Sequence, residues 1–201
     1  GINSGSGGSG QSRVSQWTTQ LTEQKAAQQM SLEQEQQYWQ KILDTTKLKA
    51  AERQQIEAKV AKARLDIAKR NLTDFESETN NEIEVSRGAA LHKIAIEEEL
   101  SKRKLALGKI TSLQALAEES SFEQRRYAIE EKAINDRIKL YEKDPTNIQK
   151  VRQQHLQLEQ LSQRHELAMQ QITTKSLTVQ AERWKKLSDS ISSGMGSAFG
   201  D

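Results

Sequence analysis

Proline occurs once in this chain, at Pro145. Its ring removes a backbone donor and clashes with the preceding turn, so proline is the residue that most often stops a helix. A chain with a single proline is free to run as helix almost throughout its length. What those helices can bury is limited by composition. Only 34% of the residues are hydrophobic and 4% aromatic, against 29% charged. Globular domains carry roughly 45–50% apolar residues. A deep core is therefore out of reach, but a narrow seam between long helices needs only two or three apolar residues in seven. Disorder is the competing outcome, because low hydrophobicity also marks unfolded chains. The charge pattern argues against it. Thirty bases and 28 acids leave a net charge of only +2, and the signs alternate as on a solvated helix face. The expected fold is all-α: elongated long helices forming antiparallel helical hairpins or coiled coil, with no sheet.

Breaks in this pattern divide the chain. Residues 1–11 are rich in Gly and Ser and read as a flexible linker. Residues 12–107 read as one long helix or a helix pair, with a break expected near 79–81, where Thr79 and Glu82 match a capping box. Gly108 can take the left-handed position that ends a helix, and Thr111 with Gln114 can cap the next, over 112–143. Asp144-Pro145 is the sharpest break, because the residue before proline avoids helical angles. Thr146 with Gln149 is expected to restart a return helix over 146–193. Residues 194–201 then read as a flexible Gly/Ser/Ala tail. Connections this short favour antiparallel neighbours.

Within the helices, apolar residues recur at three-four spacing. Ile56, Val60, Ala63 and Ile67 form one seam. The middle helix carries two lines: Phe122, Ile129, Ala133 and Leu140 on one, and Leu116, Tyr127, Ile134, Ile138 and Tyr141 on another roughly 130° round. A helix with two stripes needs two partners, either flanking helices or other copies. The return helix shows Ile148, Val151, His155, Leu158, Ser162, His165, Met169, Ile172, Ser176 and Val179. His155, Ser162, His165 and Ser176 are polar, and polar seam positions weaken association while fixing its register. Self-association through such seams is expected.

Little else suggests chemistry. Without cysteine there are no disulfides or thiolate metal sites. His155 and His165 are ten apart, not at the four-residue spacing of a zinc pair, and no histidine follows a carboxylate by three. No metal, cofactor, catalytic group or small-molecule substrate is expected. The run from Gly194 to Gly200 misses dinucleotide-loop spacing and follows a helix where a strand is required. Lys102-Arg103-Lys104, Arg125-Arg126 and Lys185-Lys186 are basic, but acids such as Glu97-Glu98-Glu99 lie among them, so no specific nucleic-acid role is expected. No run of about 18 apolar residues is present.

The stretch LALGKITSLQALAEESSFEQRRYAIEEKAINDRIKLYEKDPTN, followed by QLEQLSQRHELAMQQI, resembles the helical region of tail tape-measure proteins of long-tailed bacteriophages and prophages. The features that carry it are Leu107-Gly108-Lys109-Ile110, Phe122-Glu123, Arg126-Tyr127-Ala128-Ile129 and Leu140 through Pro145. Trp184 to Phe199 is similar to the point where that family passes into more apolar, glycine-containing sequence. The likeness covers about residues 80–201. It implies a structural protein that sets tail length during assembly and is ejected ahead of DNA. It further implies three copies, tail-tube and tail-assembly chaperone partners, and a place in the virion tail lumen after assembly in the host cytoplasm. A late membrane contact through sequence beyond Asp201 is implied too. Independently of the likeness, a cellular coiled-coil scaffold or spacer fits the same residues, and a nucleic-acid-associated coiled coil fits them less well.

Overall fold

The computed structural model describes residues 12–198. The expected linker over 1–11 lies outside them, as do the last three residues. Among the described residues there are five α-helices, one short 3-10 turn and no strand: α1 (Arg13–Gln28), α2 (Leu32–Thr45), α3 (Ala50–Ala106), α4 (Ser112–Tyr141), the turn Pro145–Asn147, and α5 (Ile148–Ala198). The fold is all-α. The chain divides into two compact units, Gly1–Phe75 and Glu76–Asp201.

In the first unit the structure corrects the expectation of a long helix or pair over 12–107, because the polypeptide turns twice before α3. Ser12 caps α1 by accepting from the Ser15 amide at 3.2 Å. The helix stops at Gln29, which adopts left-handed angles with φ 47°. An L-residue there costs roughly 1–2 kcal/mol. A reciprocal capping box opposes that cost. Ser31 Oγ accepts from the Gln34 amide at 3.2 Å, and Gln34 Oε1 accepts from the Ser31 amide at 2.8 Å. The turn lets Trp39, 2% exposed, pack with Val14, Leu21, Ile56 and Val60. Trp17, Met30, Tyr38, Ile42, Leu43 and Leu48 flank this cluster. A buried side chain of this size contributes about 1.5–3 kcal/mol, so the tryptophan alone can offset the strained residue. Successive helices are antiparallel. Lys25 pairs with Glu35, Tyr38 donates to the Trp17 carbonyl at 2.9 Å, and Arg64 and Arg70 reach back to Gln40 and Glu33.

The second unit comprises residues 76–106 of α3 with α4 and α5. The break expected near 79–81 is absent: Thr79 to Glu82 lie inside α3. Capping-box matches arise readily in sequence this rich in Thr, Glu and Gln, and an uncapped helix interior outcompetes them when both ends are specified. The end of α3 falls at Gly108, with φ 66°. Gly108 N donates to the Leu105 carbonyl at 3.0 Å and Lys109 N to the Lys104 carbonyl at 2.8 Å, the paired bonds of a Schellman motif. Thr111 and Gln114 then form a capping box for α4. At the second turn the sequence reading is corrected in one detail. Asp144, not Thr146 with Gln149, supplies the cap: its Oδ1 accepts from the Thr146 amide at 2.9 Å and from the Thr146 hydroxyl at 2.8 Å. Those amide and hydroxyl bonds hold the Asp144 carboxyl below its ordinary value. The tail expected over 194–201 is corrected as well, because α5 continues through Gly194 and Gly196 to Ala198. Two isolated glycines in a helix cost only about 1 kcal/mol each.

Candidate functional site

The feature with the most built structure in the second unit is the seam in which α4 lies between α3 and α5. Ile94, Phe122, Ala133, Ile134, Ile138, Leu140 and Ile172 are buried there. The two stripes of α4 therefore meet the flanking helices of the same chain. Ile129 and Ala133 line a hollow with Ile83, Arg87 and Ala90 of α3. Tyr127 instead stacks on His165 of α5, ring centroids 4.4 Å apart and 25° from parallel.

Ion pairs run along the α3–α4 side in antiparallel register. Arg125 pairs with Glu97, Arg126 with Glu98, and Arg87 with Glu130 at 2.7 Å; Arg137 pairs with Glu84, and Tyr141 donates to Asn80 at 3.3 Å. The hydrogen-bonded Arg125 guanidinium holds the Glu97 carboxyl below its ordinary value, and Glu97 in turn raises Arg125. On the α4–α5 side, His165 Nδ1 lies 3.2 Å from Glu123 Oε1, Lys175 Nζ donates to Glu119 at 3.1 Å, and the Ser120 hydroxyl is 3.9 Å from Met169 Sδ. Near the Pro145 turn, Glu76 receives Lys150 and Asn147, and the Lys150 ammonium sits 5.2 Å from the Tyr141 ring centroid. A partly open groove of about 390 Å³, lined by Phe122 and Ile172 with Glu123, Arg126 and Lys175, lies between the three helices.

The residues singled out from sequence are placed as follows. Ile56 and Val60 are buried and Ile67 half-buried in the first unit. Phe122, Ile134 and Ile138 are buried, and Tyr127, Ile129 and Tyr141 half-buried. On α5, Ile172 is buried and Val151, Leu158, His165 and Met169 are half-buried, while Ile148 and His155 face solvent. The seam positions assigned to His155 and Ser162 belong to Gln154 and Leu161, one residue earlier. The rhythm Val151, Gln154, Leu158, Leu161, His165, Ala168 and Ile172 was available in the sequence. It is more apolar than the one through His155 and Ser162, and apolarity decides which side of a helix turns inward. Ile148 directly follows the Pro145 turn, before α5 meets α4. Gly108 and Pro145 stand at the two turns. Ser101 and Gln154, both buried polar residues, carried no sequence signal of their own. Gln154 Oε1 is buried with no hydrogen-bond partner among the described residues.

Among the described residues, Glu123 is the hydrogen-bond partner of the His165 ring, and no hydroxyl or second carboxylate joins it. Among the described residues no group of three or more His, Asp or Glu side chains is placed to hold a metal ion. No described helix is long and apolar enough to cross a membrane. No family model, curated protein or solved structure matches the chain.

Proposed function

We propose that this chain is a structural segment of a tail tape-measure protein, a non-enzymatic ruler that acts in the virion tail lumen and works with tail-tube and assembly-chaperone proteins. The observation that supports the reading is the make-up of the second unit's seam. Three long helices are joined by a thin apolar line and by ion pairs that are mostly half-exposed, such as Arg125–Glu97 and Lys175–Glu119. Exposed pairs are worth only about 0–1 kcal/mol each, so the helices are specified neighbours held weakly. A ruler has to open. Folded back, the second unit reaches no further than its longest helix, α5, of 51 residues, or about 77 Å at 1.5 Å per residue. Unfurled as one helix, residues 76–198 would span roughly 185 Å. The basic clusters fit a role without nucleic-acid recognition, since Arg103, Arg125 and Arg126 are already paired with Glu99, Glu97 and Glu98.

The folded-back state also favours a second reading, a coiled-coil spacer that works as a short rod. One experiment separates them. In particles assembled with the full-length protein, deleting about three heptads from α5 is expected to shorten the tail by about 30 Å. Tails of unchanged length would overturn the ruler and favour the spacer.

A further inference from the structure

α4 is held on its two sides by different forces. Towards α3 the hold is mainly charge. In residues 76–106 of α3, Ile94 and Ser101 are buried, while Val85, Ile96, Leu100 and Leu105 are exposed. What α3 presents to α4 is largely carboxylate. Glu84, Glu97 and Glu98 meet Arg137, Arg125 and Arg126, and Arg87 reaches Glu130 in return. Arg125 is bidentate, with two guanidinium nitrogens on the two Glu97 oxygens. The four glutamate side chains are 21–44% exposed, so counterions reach them. Towards α5 the hold is mainly apolar. Ile172 is buried, Val151, Leu158, Leu161 and Ala168 are half-buried, and His165 stacks on Tyr127. Among the described residues, Lys175–Glu119 is the one pair of fixed charges joining α4 to α5. The two turns differ likewise. Every residue from Lys102 to Lys109 is exposed, and a Cβ on Gly108 would meet nothing within 4 Å. The other turn is closed by Asp144 and by Lys150 over the Tyr141 ring.

We infer that α3 is a salt-released arm: rising ionic strength loosens residues 76–106 from α4 about the Gly108 turn, while α4 and α5 stay together as a hairpin. The screening length falls from about 10 Å at 0.1 M salt to about 3 Å at 1 M. The second value is close to the length of the pairs themselves, such as Arg87–Glu130 at 2.7 Å. Four partly exposed pairs therefore weaken together, and Lys150–Glu76, which ties α3 to the start of α5, weakens with them. The α4–α5 contacts are mostly uncharged and have little to screen. Once off α4, α3 loses the packing that supplies most of a helix's stability, so its backbone amides open to exchange. The inference does not rest on the tape-measure reading. A spacer would carry the same arm, and a failure here leaves the tail-length test of that reading unaffected.

Hydrogen exchange of the full chain, read by mass spectrometry in about 20 mM and about 1 M sodium chloride, tests the inference. Protection over residues 80–104 of α3 is expected to fall about tenfold in the higher salt, while protection over residues 148–172 of α5 changes less than about twofold. Comparing the two segments within one sample removes any general effect of salt on exchange. Equal losses in α3 and α5, a larger loss in α5, or unchanged protection of α3 overturns the proposal. A charge swap then ties the effect to the named pairs. The double variant Glu97→Arg, Glu98→Arg is expected to lose the same protection over α3 already in about 20 mM salt. Adding Arg125→Glu and Arg126→Glu is expected to restore it to within about twofold, because the pairs re-form with their signs exchanged. A swap that leaves α3 unprotected while α5 keeps its protection overturns the assignment to these pairs.

Discussion

Gln154 shows what a seam drawn by spacing alone overlooks. It is 7% exposed, and its Oε1 is buried without a partner. Leaving a buried acceptor unsatisfied costs about 1–3 kcal/mol. Gln154→Leu, similar in volume, is therefore expected to stabilise the second unit by roughly 1 kcal/mol, read as a rise in the thermal midpoint of several degrees. A fall in the midpoint would mean that the carbonyl is hydrated or paired in solution. Sequence placed His155 in this seat because the Ile148–Val151 start set the count, and a one-residue shift moves a helix face by 100°. Gly108 is the opposite case. Its role was legible because φ 66° is a conformation that glycine adopts without strain. Space is not the constraint, since a Cβ there meets nothing within 4 Å. Gly108→Ala is expected to cost about 1 kcal/mol from backbone strain alone, measured by denaturant unfolding. An unchanged midpoint would place the turn's stability elsewhere.

At the scale of elements, the caps that carried glycine or proline were legible and the others were not. Gly108 and Pro145 announce two turns, while the α1–α2 turn uses Gln29 and the α2–α3 turn passes through an extended Thr46. Neither residue type marks a turn, and the capping box of Ser31 and Gln34 looks the same in sequence as the idle one at Thr79. What separates them is tertiary: the Ser31 turn lets Trp39 bury, and the Thr79 site has no such gain. Ser31→Ala is expected to cost about 1 kcal/mol, with helicity lost first in the first unit. The same element carries a pH-dependent tie. Arg70 of α3 hydrogen-bonds Glu33 and lowers its carboxyl from the ordinary 4.5 to about 2. Because the folded-state group titrates below its unfolded value, its contribution is complete above about pH 4.5 and is lost as pH falls through about 2. The pair is exposed, so the effect is small and screened by salt. Comparing thermal midpoints of the chain and of Arg70→Met between pH 5 and pH 2 at low ionic strength checks it. The parent is expected to lose more stability over that window, and equal losses would show that the pair contributes nothing.

For the molecule as a whole, one proline, mixed charge and few apolar residues were enough to read an all-α chain, because each acts on every helix at once. What they could not supply was the identity of the partners. Two stripes on α4 require two neighbours, and sequence is silent on whether those belong to the same chain or to copies. The structure assigns α3 and α5 of the same chain, through contacts such as Tyr127–His165 that join residues 38 positions apart and leave no local signature. That assignment bears on how firmly the helices hold. The second unit buries few large side chains, spends seam positions on Gln154, Ser101 and His165, and relies on half-exposed ion pairs. An opening bundle should therefore melt like an ordinary mesophilic domain, at about 45–65 °C or lower. Circular dichroism of the intact chain, heated with and without about 1 M salt, checks this, and the salt should lower the midpoint because it screens those pairs. Helicity retained above about 70 °C, untouched by salt, would mean that packing rather than polar specification holds the helices together, and a ruler that must unfurl would then lack the weak seam it needs.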